Sequence, residues 1–162
     1  MHKNWSNTAL VAFSLLPKIV QELDFAFETR LNSAFGSVHL KNGVSNERLF
    51  DEMIEINCRK AKLVNLKVLV DCALAELNDA ERRCLTMRIM DKMTFQEISE
   101  TENVSLRTVF RRFDRAQKAF ESVLLRKGYS AEKLESEYGC IASVKALKDR
   151  FTADTYFIAK SQ

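Results

Sequence analysis

Residues 94–120, TFQEISETENVSLRTVFRRFDRAQKAF, restrict the fold more tightly than any other stretch of the chain. Thr94 and Glu97 have the spacing of a T-x-x-E capping box. In such a box the threonine oxygen accepts from an orphan first-turn amide, and the glutamate bonds back to the cap amide. Phe95 and Ile98 are three apart and share one buried face. That helix has to be short, because Glu100-Thr101-Glu102-Asn103 is polar and asparagine tolerates a left-handed turn. Val104 can plug the turn, and Ser105 is a good cap for a new helix starting at Leu106.

The second helix is divided by side. With Arg107 at 0° and about 100° per residue, Lys118, Arg111, Arg115, Thr108 and Arg112 fall between roughly 20° and 140°. Ala116, Val109, Phe120, Phe113 and Leu106 fall between roughly 180° and 260°. The apolar face can seat against the first helix while the basic face meets solvent or phosphate. A basic face alone is usually just solvated surface. Three local signals that agree, cap, turn and amphipathic helix, make a helix-turn-helix the better reading.

Charge distribution sharpens this. The net charge of +3 is unremarkable until it is divided. Residues 105–127 hold seven Lys/Arg against two acids, residues 94–104 carry three acids, and residues 128–162 balance five against five. The positive excess therefore sits on and just after the second helix. A length of 162 residues fits one or two small domains with a real core. Hydrophobic residues at 46%, with one proline and four glycines, fit an ordered, all-α chain.

Several chemistries are excluded by what the residues do not form. Cys58, Cys72, Cys84 and Cys140 make no C-x-x-C pair, and their apolar helical contexts predict reduced, packed thiols in a cytoplasmic protein. His2 and His39 neighbour no ligand or nucleophile cluster. The sequence has no Gly-rich phosphate loop, metal-ligand spacing or Ser/Cys–His arrangement, so no enzyme, cofactor or metal site is expected. The run Ala9–Leu16 lacks a strongly basic start and a cleavage site, and falls far short of the roughly 20 residues that span a bilayer. It reads as a core helix, with no membrane partner.

Along the chain, Phe13, Val20, Phe27 and Ala34 recur every seven residues, with Leu16 and Leu23 at the offset. This predicts a helix ending at Gly36, which Pro17 either opens or kinks. Residues 37–46, SVHLKNGVSN, contain an Asn-Gly turn signal and read as a loop or very short hairpin. A second stripe follows from Glu47: Leu49, Ile56, Leu63, Val70 and Leu77, supported by Leu66 and Ala73 and interrupted by Glu52, Arg59, Lys60 and Lys67. Such a helix pairs with residues 13–34 either within the chain or across a homodimer. Asn78-Asp79-Ala80-Glu81 caps the next helix, whose stripe is Leu85, Ile89 and Met93. Gly128 and Gly139 bracket SAEKLESEY, a short helix capped by Ser130. A last helix is expected over 141–151, followed by a tail that docks through Tyr156-Phe157-Ile158 or frays. The expected organisation is an N-terminal helical hairpin or dimerisation region over 1–73, a helix-turn-helix domain over 74–127, and a short C-terminal helical extension over 128–162.

Residues 74–120 resemble region 4 of the bacterial sigma-70 family of RNA polymerase sigma factors. The matching features are LAELNDAERRCLTMRIMDKMTFQEIS and then VSLRTVFRRFDRAQKAF. They comprise a leucine-rich lead helix, an acid-Arg pair before an aliphatic helix, E-I-S in the first motif helix, and S-x-x-T-V-x-R opening the second. The resemblance implies binding of double-stranded DNA by the helix that begins at Ser105. Arg107, Thr108, Arg111 and Arg112 would lie nearest the groove, with Arg115 and Lys118 closer to phosphates and Val109 and Phe113 structural. Arginine can bond guanine in two places, threonine can meet a base or a thymine methyl, and phosphate contacts supply salt-dependent affinity.

Two positions depart from the family pattern: Glu102 stands where an apolar core residue is usual, and Asn103 where a turn glycine is usual. The first is expected to weaken packing. Residues 1–73 show no recognisable sigma region 2, so the layout resembles small phage and mobile-element transcription regulators rather than a self-sufficient initiation factor. The expected function is a sequence-specific DNA-binding transcription regulator. The alternative is a protein-interaction module that uses the same fold to bind RNA polymerase or a signal-recognition-particle component.

Overall fold

Capping and breaking residues divide the chain into its helices. The computed structural model describes residues 3–36 and 46–158, and among these residues there are eight α-helices and no strand. Helix α1 (Lys3–Ser14) and α2 (Leu16–Gly36) are separated by a turn at Leu15. Pro17 lies in the first turn of α2, where its missing N–H costs no helical bond, so it opens this helix rather than kinking a longer one. Helix α3 (Asn46–Ala75) follows. Residues 37–45, with most of the expected Asn-Gly turn and His39, lie outside the described residues, as does His2.

The chain forms two compact units, one of residues Leu15–Asn65 and the other of the segments before and after it. Within Leu15–Asn65, α2 buries Leu16, Ile19 and Ala34, and α3 buries Leu49, Met53, Ile56 and Leu63. Asp24 is paired with Lys60, and Arg30 with Glu52 at 3.0 Å. Low numbers on α2 meet high numbers on α3, so the two helices run antiparallel as a hairpin. Between residues 15 and 65 the two stripes are thus paired within one chain, while Phe25, Phe35, Phe50, Ile54 and Val64 stay exposed.

In the second unit, Asn78 caps α4 (Asp79–Ile89) by accepting from the Glu81 amide at 2.9 Å. Helices α5 (Phe95–Thr101) and α6 (Leu106–Arg126) pack on α4 and on each other. Gly128, at φ 82°, ends α6: its amide reaches Leu125 O, and the Tyr129 amide reaches Leu124 O, both at 2.9 Å. This is a Schellman-type close, and the positive φ is one that glycine adopts without strain. Ser130 caps α7 (Ala131–Tyr138), as its sequence position predicts.

Helix α8 (Ala142–Ile158) runs past the expected end at residue 151, since no glycine or proline interrupts residues 152–158. The side chains of Tyr156, Phe157 and Ile158, and with them the expected docking of the tail, lie outside the described residues.

Helix α1 packs against α8, α6, α7 and α4. Its anchor is Trp5, whose Nε1 donates to Glu135 of α7 at 2.9 Å while Lys148 of α8 sits 5.0 Å over the ring. Lys148 also pairs with Glu135, and these two bonds, the lysine's first, hold the Glu135 carboxyl below the usual range. The thiols depart from expectation. Cys84 is buried, but Cys58, Cys72 and Cys140 are exposed rather than packed. Apolar neighbours in sequence do not fix which way a helical side chain faces, and Cys58 and Cys72 fall on the outer side of α3.

Candidate nucleic-acid interface

The helix-turn-helix is built from bonds that span few residues. Thr94 Oγ1 accepts from the Glu97 amide at 3.2 Å, and the Thr94 amide donates to the Glu97 carboxylate at 2.6 Å, completing the capping box. The Thr94 amide first, and then the Thr94 hydroxyl, which donates to the same carboxylate at 2.8 Å, hold the Glu97 carboxyl below its ordinary range. At the other end of α5, Asn103 takes the left-handed conformation at φ 51°. Ser99 Oγ donates to Val104 O at 2.6 Å, locking the turn across its mouth. Ser105 then caps α6, accepting from the Thr108 amide at 3.2 Å.

Beneath this turn lies an apolar cluster of Cys84, Ile98 and Val109, with Met87, Met93, Phe95, Val104 and Phe113 packed around it. Val104 therefore fills the turn as expected. Burial pushes the Cys84 thiol up. Phe95 lies 4.5 Å from Phe110, the two rings tilted by 44°, and meets Phe113 edge-on at 5.2 Å, which fixes the start of α5 against the first turns of α6. Arg88 braces the same corner: its guanidinium lies 4.7 Å over the Phe95 ring and donates to Met93 O at 2.9 Å.

On this frame the basic residues of α6 divide into two groups. Arg107, Arg111 and Arg115 are exposed along its outer side. Lys118 is exposed too, with Asp114 at 2.6 Å. Thr108 is half-buried, its hydroxyl bonded to that of Ser105 at 2.8 Å. Arg112 is turned aside. It pairs at 3.4 Å with Glu102, which also holds Arg83 of α4 at 3.1 Å. The two arginines explain how Glu102 is tolerated at a position where an apolar residue was expected: its carboxylate, 15% exposed, is neutralised from both sides while Val104 fills the core.

Helical spacing missed three contributors here. Phe110, 49% exposed, falls between the apolar and basic groups at about 300° on the same wheel. That intermediate angle was the signal for it. Asp114 falls near 340° by the same count, which places an acid among the arginines. Arg83 carried no local signal, since its partner Glu102 is 19 residues away.

Among the described residues no group of three or more His, Cys, Asp or Glu could hold a metal ion, and no helix is long and apolar enough to cross a membrane. Comparison with curated proteins and with solved structures finds no match. Residues 67–120 match the protein-family model described as Sigma-70, region 4. That segment starts in the last turns of α3 and ends inside α6, so it takes in α4, α5, the turn and most of α6. The chain thus carries, at residues 67–120, a helix-turn-helix domain of the sigma-70 region 4 kind, a DNA-binding and non-enzymatic family associated with transcription.

Proposed function

We propose that the protein is a sequence-specific transcription regulator that reads double-stranded DNA with α6, the helix starting at Ser105. The observation that carries this is the three exposed arginines, Arg107, Arg111 and Arg115, on a helix whose opposite face is buried at Val109, Ala116 and Phe120. A helix seated in this way can lay its first turns in the major groove with its charges outward. Arg107, Thr108 and Arg111 stand nearest the bases, while Arg115 and Lys118 meet phosphates further along the helix. Arg112, held by Glu102, braces the turn from within the same face. The work of such a regulator places it with the DNA, in the cytoplasm of a bacterium or a phage-infected cell.

The test is a titration of the full chain on duplex DNA over a range of salt. Affinity falls as salt rises, and Arg107→Ala with Arg111→Ala removes most of it. No binding at low salt, or binding indifferent to those substitutions, favours the alternative, a module that docks on RNA polymerase or a signal-recognition-particle component. Crosslinking to genomic DNA then gives the symmetry of the site. Paired half-sites mark a homodimer, and a single element marks a monomer that works beside polymerase.

A further inference from the structure

The most exposed aromatic ring on α6 is placed among the arginines rather than away from them. Phe110 is 49% exposed, and Leu106, one turn earlier, is 39% exposed. Arg107 and Arg111 directly follow each of them in sequence and are exposed as well. All four lie in the first two turns of the helix, where recognition helices touch base edges.

The Phe110 ring is also held in place. Phe95 backs it at 4.5 Å, Phe113 backs Phe95, and Arg88 covers the Phe95 ring from the α4 side. A ring braced by a neighbouring ring and half exposed presents an apolar surface at little further entropic cost. Arg107 and Arg111 flank it, and the one acid a turn further on, Asp114, is paired with Lys118, so a partner that fits it is polyanionic and still offers an apolar group. Within the major groove one base edge does so: the 5-methyl of thymine.

We infer that Phe110 is a specificity-determining residue that packs on a thymine methyl and makes this protein select thymine at one position of its target. The inference rests on the proposed reading of duplex DNA by α6 and adds to it the base that one side chain selects. Leu106 extends the same apolar edge, while Arg107 and Arg111 supply phosphate contacts or guanine contacts to either side.

The experiment removes the methyl without touching the protein. A duplex selected by the full chain from a random pool is remade with each thymine replaced in turn by uracil. Wild type binds about fourfold more weakly at one such position, the effect expected when the burial of one methyl group is lost. Phe110→Ala binds the thymine and uracil duplexes equally while retaining salt-dependent affinity through its arginines. Phe110→Leu keeps an apolar face and part of the preference, which guards against an effect of Phe110→Ala on folding.

Wild-type binding that no uracil replacement weakens overturns the inference and leaves DNA reading by α6 intact. A thymine preference that survives in both variants overturns it also. Absence of any duplex binding overturns the inference together with the proposed function.

Discussion

Around the turn from α5 to α6, Thr94, Glu97, Ser99 and Thr101 each bond to a group no more than five residues away. In the hairpin of α2 with α3, the side chains that join the helices are 22 and 36 residues apart. The first region has its geometry specified locally, with a capping box, a left-handed asparagine and a serine cap. The second depends on which stripe of a long helix finds a partner. Local bonds fix shape at small individual energies, whereas buried apolar contact supplies most of the stability in either region.

The largest effects test that last point. Ile98→Ala, at a residue 1% exposed beneath the turn, is expected to cost about 2–5 kcal/mol. Leu63→Ala, at a fully buried position of α3, falls in the same range of about 2–5 kcal/mol. Urea unfolding of each variant gives both numbers. If Ile98→Ala costs no more than the loss of a single cap, the turn is held by its own bonds and the contrast between the regions changes meaning.

Next in size are the outer arginines of α6. Arg107→Ala or Arg111→Ala is expected to weaken DNA binding by about 1–3 kcal/mol if the residue bonds a base edge. If the residue meets only phosphate, binding weakens evenly across sequences and the salt slope drops by about 0.9. Binding titrations on matched and mismatched duplexes separate the two results. Neither substitution touches the core, so unfolding midpoints stay near the wild-type value.

The capping box is a smaller and pH-dependent contributor. Thr94→Ala is expected to cost about 1 kcal/mol near neutral pH. Glu97 has its carboxyl held below the usual range in the folded protein, so its share of stability is present above the unfolded carboxyl's pKa. That share is lost as pH falls through the lower, folded value. The gap between wild type and Glu97→Gln, which removes only the charge, should therefore close on acidification, as measured by thermal unfolding at a series of pH values. A gap that does not change with pH would mean that the charge of Glu97 takes no part in the cap.

How much of this was legible in the sequence follows from the same contrast. Thr94, Glu97, Asn103, Ser105, Asn78 and Ser130 declare themselves through neighbours within a few positions, and each caps or turns the chain as read. The seam Leu49, Ile56, Leu63, Val70 and Leu77 is likewise buried throughout. The partner of that seam was not legible, because periodicity marks an apolar face without saying what covers it. Phe50, Ile54 and Val64 on the same helix remain exposed. The Trp5–Glu135–Lys148 clamp joins residues 130 positions apart, beyond any local pattern. In the interface the basic face of α6 was visible, but the withdrawal of Arg112 onto Glu102 was not. That pair spans ten residues across the turn, and its carboxylate is shared with Arg83 of α4.

Glu102 gives the finest test of whether local and distant bonds are coupled at the interface. Its carboxylate joins Arg83 of α4 to Arg112 of α6, so it is at once a support for the turn and a negative charge beside the helix proposed to meet DNA. Glu102→Gln keeps the shape and removes the charge. With Arg83 and Arg112 both partly open to water, the loss of stability is expected to stay within about 1 kcal/mol. DNA binding moves the other way: Arg112 is released toward the duplex, affinity rises, and the salt slope steepens by about 0.9 for one added phosphate contact. Adding Arg112→Ala to Glu102→Gln should cancel the gain. If affinity falls in the single variant instead, Glu102 positions Arg112 for the groove rather than withholding it. The Arg83–Glu102–Arg112 chain would then make a base contact at the interface depend on α4.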